Sequence, residues 1–202
     1  MASKYITTDT KGVFRCWWCG NDPLYVQYHD KEWGRPVDLD RRLFEKLCLE
    51  GIQAGLSWIT ILRKREAFRK AFRQFEIPAV ARFTKRDVEK LLTDEGIVRH
   101  RGKIEATINN AKQALKMIET RGSLAAFFWQ FEPSRARKFD AKRGVSDESK
   151  QMSKTLKKEG WRFVGPTTCY SFMQAMGMTN DHHPDCHIYD EIESLRSKFQ
   201  RP

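Results

Sequence analysis

Apolar residues recur at helical spacing along most of the chain, with polar residues on the opposite faces of the same segments. This period is typical of amphipathic helices packed around a core. The pattern predicts two helices within about 38–62, a continuation of the second to residue 70, and further helices at about 77–81, 84–92, 105–117, 124–131, 149–158 and 167–176. The sequence contains no convincing strand, internal repeat or low-complexity tract, so the predicted fold is all-α.

The bend between the first two helices contains residues that a helical core does not need. These are two polar residues, two glycines and a large aromatic residue: Glu50, Gln53, Gly51, Gly55 and Trp58. Two glycines indicate that the backbone bends or approaches another group closely. A carboxylate among apolar residues has either a perturbed pKa or a cationic partner. The alternative is a simple helix–turn–helix corner, in which Glu50 caps a helix and Trp58 fills the core.

Aromatic residues are concentrated near the N-terminus, where positions 17–33 hold five of the eleven Trp and Tyr residues of the chain. Most aromatic clusters are core. Here, however, Gly, Pro and Asp interrupt the cluster too often for one packed helix. Aromatic faces on irregular backbone are also what a pocket that stacks on a nucleobase requires.

A basic hairpin is predicted between the helices at 84–92 and 105–117. Gly96 allows a tight turn, and Arg99, His100, Arg101 and Lys103 follow it closely. Free backbone amides together with cations suit a DNA phosphate. The alternative is an ordinary solvated basic turn.

The charge balance favours a polyanionic partner. Lys and Arg number 37 against 26 Asp and Glu, which gives a formal net charge of +11. Nucleic acid is favoured over membrane because no basic amphipathic helix stands out. No apolar run is long enough to span a membrane, and residues 1–15 lack the apolar centre of a signal peptide. We therefore expect a cytoplasmic protein with no membrane partner.

Cysteine and histidine cluster at the two ends of the chain. The N-terminal group is Cys16, Cys19 and His29, and the C-terminal group is His182, His183, Cys186 and His187. Five cysteines in a reducing compartment argue against a disulfide framework. Four nitrogen and sulfur ligands would close a structural zinc site. A redox Cys-x-x-Cys pair lacks the β-α-β pattern it needs, and the motifs of a catalytic deaminase zinc are absent.

Several long motifs resemble those of the DNA-3-methyladenine glycosylase I family, the constitutive bacterial type. They include Asp22-Pro-Leu-Tyr25-x-x-Tyr28-His29-Asp-x-Glu-Trp33-Gly, Cys48-Leu-Glu50-Gly-x-Gln-Ala-Gly-Leu-Ser-Trp58, Gly96-Ile-Val-Arg-His-Arg-Gly-Lys-Ile104 and Asn180-Asp-His182. The resemblance runs from about residue 14 to 186. It implies an all-α helix-hairpin-helix glycosylase domain with a zinc subdomain that joins the N- and C-terminal regions.

One domain with two flanking segments is expected. Residues 1–13 are polar and rich in Thr and Lys, which favours a flexible, frayed tail or a loosely docked strand. Residues 14–189 would form a single glycosylase domain, and the charged residues 190–202 a C-terminal tail. The zinc subdomain would combine about 14–36 with 160–189, and the helix-hairpin-helix would span about 84–117.

The family's functional positions can be carried over to this chain by resemblance. Its zinc ligands fall on Cys16, His29, His182 and Cys186, which leaves Cys19, His183 and His187 as bystanders. The damaged-base pocket falls on Glu50, Tyr28, Trp33 and Trp58, with Trp18 and Tyr25 nearby. The part that meets the gap left by the flipped nucleotide falls on Gln53, Gly55 and Leu56. We expect further DNA contacts from Gly96, Arg99, Arg101 and Lys103.

Two features depart from the wider superfamily. The hairpin lacks the L-P-G-V-G sequence, which predicts a weaker phosphate grip. The superfamily's catalytic aspartate is also not evident, as the resemblance implies for this branch, so Glu50 is the expected catalytic carboxylate.

The expected activity is hydrolytic release of free 3-methyladenine from alkylated double-stranded DNA. N3-methylation makes the base cationic, so its glycosidic bond is already weakened and the pocket needs mainly aromatic faces and a carboxylate. No lysine is evident that could form a Schiff base, so we expect a monofunctional enzyme without lyase activity. We also expect the enzyme to be monomeric and associated with the nucleoid. The alternative is a non-catalytic, zinc-stabilised protein that binds alkylation damage.

Overall fold

The structure is a computed structural model of the 202-residue chain, and it describes residues 3–135 and 138–202. Two short strands come first, β1 (Ile6–Thr8) and β2 (Phe14–Cys16). The helices that follow are α1 (Pro23–Lys31), α2 (Asp40–Gln53), α3 (Trp58–Ala71), α4 (Ile77–Ala81), α5 (Lys85–Leu92), α6 (Arg101–Arg121), α7 (Leu124–Trp129), α8 (Asp147–Lys158), α9 (Pro166–Ala175) and α10 (Tyr189–Lys198). Single 3₁₀ turns occupy Trp17–Cys19 and Arg73–Phe75. The predicted helical fold is confirmed.

Helix α2 is the centre of the fold, because it packs against α3, α6, α7 and α9. Ten consecutive residues, from Leu43 to Ile52, are buried. Three of them are charged residues: Glu45, Lys46 and Glu50. Buried charges are tolerated only when they are paired. The central helix therefore carries ion pairs as well as apolar packing.

The two glycines after Glu50 have the roles that the sequence suggested. Gly55 has a φ of +80°, a conformation that L side chains rarely adopt. At Gly51, a Cβ would lie 2.8 Å from the carbonyl oxygen of Phe163. Gly55 thus makes the bend between α2 and α3, and Gly51 allows the backbone before α9 to pack directly on α2.

Helices α5 and α6 are joined by the eight residues 93–100. Thr84 and Asp87 form the predicted capping box at the start of α5. Helix α6 begins at Arg101, four residues earlier than the prediction. His100 accounts for this earlier start, since its Nδ1 accepts a hydrogen bond from the backbone N–H of Lys103 and caps the helix. Arg101 and Lys103 therefore lie on the first helical turn.

The N-terminal segment takes the second of its two expected forms, a docked strand rather than a frayed tail. Strands β1 and β2 pair antiparallel, with Ile6 opposite Cys16. The Asp9 carboxylate closes the turn between them by accepting the N–H groups of Lys11 and Val13. Strands of three residues are too short to give a visible period of two, which is why the sequence did not reveal them.

The charged C-terminal segment is also ordered, against the expectation of a tail from residue 190. It forms α10, in which Ile192 is fully buried. Arg196 donates hydrogen bonds to the Gly177 carbonyl and to Glu132. Apolar residues are sparse among the charges in this helix, so its packed face was not apparent from the pattern alone.

Candidate functional site

An aromatic pocket lies where α1, the end of α2 and the start of α3 meet. It is a cavity of about 180 Å³, and its lining comprises Trp17, Trp18, Tyr25, Tyr28, Trp33, Glu50, Gln53, Trp58, Phe139, Asp140, Ala141, Arg143, Ser171, Gln174 and Asp181. Pockets for drug-sized ligands are larger, at roughly 300–1,000 Å³. The aromatic pocket therefore suits a ligand no bigger than a single base.

All six residues that the resemblance assigned to the base pocket line this cavity. Their rings contact one another: the centroids of Tyr28 and Trp58 are 5.5 Å apart, and those of Trp18 and Trp33 are 4.9 Å apart. Tyr25 packs on Trp18 at 5.2 Å. Aromatic rings fixed in this way present rigid faces on which a planar ligand can stack. Residues separated by more than thirty positions in the sequence thus form one surface.

Glu50 lies on the last turn of α2 and is 7% exposed. Its Oε1 atom lies 2.8 Å from the Nζ of Lys46, one helical turn earlier. The cationic partner that the sequence analysis considered for Glu50 is therefore Lys46. Glu50 does not cap α2, because it lies within the helix rather than at its N-terminus. The simple corner interpretation of Glu50 does not hold.

Lys46 is the principal residue that the sequence analysis missed. Its ammonium donates to the Tyr28 hydroxyl oxygen at 2.6 Å and lies 3.3 Å from the centre of the Trp58 ring. Burial lowers the pKa of Lys46, while the Glu50 carboxylate acts in the opposite direction. The i, i+4 spacing of Lys46 and Glu50 was the available signal, but such pairs usually occur on exposed helix faces.

A hydrogen-bonded carboxylate, Asp181, also lines the aromatic pocket. The Asp181 carboxylate accepts hydrogen bonds from Tyr170 at 2.5 Å, Gln174 at 2.8 Å and Thr179 at 3.0 Å. Asp181 belongs to the Asn180-Asp-His182 motif, but no role was predicted for it from the sequence. The partners come from α9 and from the segment after it, so only the fold brings them together.

Two buried donors near the cavity lack a hydrogen-bond partner among the described residues. They are the indole Nε1 of Trp58 and the Nη1 of Arg143. Unsatisfied buried donors are costly, so native proteins usually pair them. Both residues line the cavity, but the two donor atoms themselves are buried and do not reach its surface.

The turn between α2 and α3 presents Leu56 to solvent, with its side chain 40% exposed. Lys103 lies beneath this turn, and its Nζ donates to the carbonyl oxygens of Ile52 at 2.7 Å and Ala54 at 2.6 Å. Lys103 is buried, at 8% exposure. It therefore supports the turn, and the structure does not present it as an exposed phosphate contact.

The other hairpin cations are exposed but paired. Arg101 makes a two-point ion pair with Glu89, with both distances 2.9 Å. Arg99 lies 3.5 Å from Glu95. Gly96 donates its N–H to Asp94. Exposed ion pairs of this kind are weak because solvent screens them, so a phosphate can compete for the arginines.

A possible metal-binding cluster lies beside the aromatic pocket. Cys16, His29, His182 and Cys186 are all buried, and their ligand atoms lie within 4.8 Å of one another. Cys16 Sγ is 3.6 Å from His182 Nδ1, and Cys186 Sγ is 3.6 Å from His29 Nε2. Sulfur and nitrogen ligands of a tetrahedral zinc are about 3.5 Å apart, given Zn–S and Zn–N bonds of about 2.3 and 2.0–2.1 Å. The four side chains therefore fit one tetrahedral metal.

Further contacts orient the ligands of this cluster. The Nδ1 of His29 lies 2.7 Å from Asp30, and the Nε2 of His182 lies 3.2 Å from the carbonyl oxygen of Trp33. Such contacts fix which ring nitrogen faces the metal. Burial lowers the pKa of His182, which keeps its imidazole neutral as a ligand must be. The hydrogen bond from Cys16 is the main cause of the lowered pKa of the Cys186 thiol.

The three bystanders of the sequence analysis lie around the cluster. Cys19 Sγ contacts the carbonyl oxygen of Cys16 at 3.2 Å, and the backbone N–H of His183 donates to Cys16 Sγ at 3.3 Å. His187 Nε2 lies 3.1 Å from Asp30.

Among the residues that the structure describes, no helix combines the length and the apolar character required to cross a membrane.

Comparisons of the sequence and of the fold with known proteins agree on one family. A family model for methyladenine glycosylase matches residues 18–189. DNA-3-methyladenine glycosylase 1 of Escherichia coli strain K12 is 48% identical over 180 residues, which cover 87% of this chain and 96% of that protein. A crystal structure of 3-methyladenine DNA glycosylase I is 49% identical with a TM-score of 0.81, covering 86% of this chain and 98% of that one.

A further crystal structure, of a variant 3-methyladenine DNA glycosylase I in complex with 3-methyladenine, is 39% identical with a TM-score of 0.81. The match covers 86% of this chain and 96% of that chain. Because one family model spans most of the chain, and because the relatives are matched over nearly their whole length, this chain belongs to the methyladenine glycosylase family.

Proposed function

We propose that the protein is a base-excision DNA glycosylase that flips 3-methyladenine out of alkylated double-stranded DNA and releases it by hydrolysis. The main support is the aromatic pocket, in which the Glu50 carboxylate lies among the rings of Tyr28 and Trp58. A relative's structure holds 3-methyladenine. A methylated base would stack on the rings while Glu50 accepts hydrogen bonds from its N–H groups.

Cleavage of the glycosidic bond to the methylated base requires little catalytic assistance from the protein. The methylated base is already a good leaving group, so the C1′–N9 bond breaks with its electron pair moving to the purine. Water then adds to C1′, loses a proton to solvent and leaves an abasic site. Extruding a damaged base is easier than extruding a paired one, because its pairing is already weakened.

Schiff-base chemistry is not part of the proposal. Lys46 is the lysine beside the aromatic pocket, but its side chain is 8% exposed and lies behind Glu50 and Trp58. The reacting C1′ would lie on the other side of these residues. The enzyme is therefore proposed to be monofunctional, without lyase activity.

DNA binding is assigned to the face that carries the α2–α3 turn and the hairpin (residues 93–100). Leu56, with Gln53 and Gly55, would fill the gap left by the flipped nucleotide. The hairpin would hold the phosphate backbone through the cations Arg99 and Arg101, since the N–H of Gly96 is already bonded to Asp94. Lys103 would act indirectly, since it joins α6 to the turn.

One zinc ion is proposed for the metal cluster, in a structural role. Four protein ligands leave no position for a reacting water. The ligands come from β2, α1 and the segment before α10, so the metal would tie the two ends of the chain together. The proposed zinc subdomain combines about 14–36 with 160–189 inside a single glycosylase domain. We further propose a monomer that acts at the nucleoid in the cytoplasm.

The decisive experiment measures base release. Methylated duplex DNA is incubated with the protein, and the released bases are separated and identified. Release of 3-methyladenine is expected. A protein that binds the same DNA without releasing any base would instead be a non-catalytic damage binder, the alternative from the sequence analysis.

A further inference from the structure

A cation lies directly behind two of the residues that line the aromatic pocket, Glu50 and Trp58. The Lys46 ammonium contacts three groups that would attract a positively charged base: the Glu50 carboxylate at 2.8 Å, the Tyr28 hydroxyl at 2.6 Å and the Trp58 ring at 3.3 Å from its centre. A ring whose one face holds an ammonium has less attraction for a second cation on the other face. The groups expected to select a cationic base are therefore already in contact with a cation of the protein, Lys46.

We propose that Lys46 is the built-in counter-ion of Glu50, and that it shifts the preference of the pocket away from the cationic, N3-methylated base and toward the neutral base that leaves. The proposal rests on the proposed function, because it assigns the pocket to that base. Lys46 is a positioning residue, since Glu50 and Trp58 lie between it and the bound base.

The surrounding charges do not remove this effect, because they pair among themselves. Arg65 holds Glu32 through two hydrogen bonds of 2.6 and 2.8 Å, and Arg69 holds Glu45 at 2.7 Å. With those two ion pairs closed, Lys46 remains paired with Glu50 behind the aromatic pocket. The other charged residues that line the pocket are Asp140, Arg143 and Asp181. Lys46 is 6% exposed and Glu50 is 7% exposed, so solvent screens their charges little.

Lys46 also affects the reaction itself. As the C1′–N9 bond breaks, its electron pair moves to the purine, and the positive charge moves from the base to the sugar. An ammonium behind the base repels the charge that the base carries before cleavage, but not the neutral base formed afterwards. Interactions that distinguish the two states accelerate the step, whereas equal binding of both does not. Lys46 should therefore weaken ground-state binding and favour cleavage.

A binding experiment tests the charge argument without requiring activity. Free 3-methyladenine, at a mildly alkaline pH where it is neutral, and the permanently cationic 3,9-dimethyladeninium are titrated calorimetrically into wild type and Lys46→Met. The ratio of affinities, cation over neutral base, should rise by about tenfold or more in Lys46→Met, since an uncompensated Glu50 attracts the cation. Lys158→Met, which removes an exposed charge from the end of α8, should leave the ratio unchanged.

A double variant keeps the test valid if a lone buried carboxylate prevents folding. Lys46→Met/Glu50→Gln removes both charges, so its ratio should return close to that of wild type. Lys46→Gln provides a second neutral replacement, whose amide can still reach Tyr28. If folded Lys46→Met or Lys46→Gln keeps the wild-type ratio, or loses affinity for both ligands equally, Lys46 has only a packing role and the proposal is overturned.

Single-turnover kinetics on methylated duplex DNA tests the proposed effect of Lys46 on the rate of base release. Lys46→Met should bind the duplex as tightly as wild type or more tightly, and release the base several-fold more slowly. A variant that releases the base as fast as wild type overturns the rate effect. If wild type itself releases no base, the proposed function fails. The affinity ratio for the free bases can still be measured in that case, so the two failures are distinguishable.

Discussion

The Nζ of Lys103 lies 2.6 Å from the carbonyl oxygen of Ala54, which directly precedes the bend at Gly55. It also donates to the Ile52 carbonyl. The first turn of α6 is therefore bonded to the turn that presents Leu56. If Leu56 enters the gap in the DNA while the hairpin holds the backbone, this lysine sets the spacing between the two contacts.

Lys103→Met should loosen the turn while keeping the volume of the side chain. Two carbonyl groups would lose a charged donor, at a cost of ~1.5–3 kcal/mol in the free energy of unfolding. Base release from duplex should fall, whereas the affinity for free 3-methyladenine should be nearly retained. Denaturant unfolding, single-turnover release and calorimetry measure these three quantities. Lys112→Met, at an exposed position of the same helix, is the control and should affect none of them.

The salt dependence of binding to undamaged duplex should identify the phosphate contacts. Each phosphate contact contributes about −0.9 to the slope of log K against log[salt]. Arg99→Ala/Arg101→Ala should therefore make the slope shallower by about 1.8. Lys103→Met should leave it unchanged, because Lys103 is buried. Arg121→Ala, at the other end of α6, serves as the control. An unaltered slope in the double variant would mean that the hairpin is an ordinary solvated turn.

Glu50→Gln keeps the shape of the side chain but removes its charge and places N–H donors where acceptors are needed. Affinity for free 3-methyladenine should weaken by ~1.5–3 kcal/mol, the range for hydrogen bonds to charged groups. Base release should fall without vanishing, because the substrate's own charge supplies most of the activation. Calorimetry and a release assay measure the two effects.

Glu50→Gln also leaves Lys46 as an unpaired buried charge, so the free energy of unfolding should decrease as well. Glu119→Gln, which changes an exposed carboxylate on α6, controls for the loss of one negative charge. Equal affinities of wild type and Glu50→Gln for the base would end the case for Glu50 as the recognition carboxylate.

The metal cluster should bind one zinc per chain. Removing zinc should lower the melting temperature, because metal binding contributes to the free energy of folding. Chelation should become easier as the pH falls, since protons compete for the thiolate and imidazole ligands. Cys186→Ser should lose the metal, whereas Cys19→Ser should keep it. Metal analysis and thermal melts provide the measurements. Far less than one zinc per chain, with a melt that chelation does not change, would refute the assignment.

The sequence by itself determined the helical architecture and located the chemistry. Helical periodicity placed most of the helices, and Thr84 with Asp87 marked the start of α5. Two glycines within an otherwise apolar region predicted the bend at Gly55 and the close approach at Gly51. These features are local, because they depend on side-chain spacing and backbone conformation over a few residues. Long motifs indicated the family, and the resemblance to that family predicted the ligand set Cys16, His29, His182 and Cys186.

The tertiary structure alone decided which charged groups are paired. Lys46 and Lys103 are two lysines among 37 basic residues, and nothing in their local sequence distinguishes them from solvated ones. Because α2 is buried around Lys46 and Glu50, these two residues, at an ordinary i, i+4 spacing, form a buried ion pair behind the aromatic pocket. Because α6 packs against the end of α2, Lys103 supports the α2–α3 turn, although its sequence context suggested a phosphate ligand. A charge acquires its role from the dielectric and the partners around it, and only the folded chain supplies both.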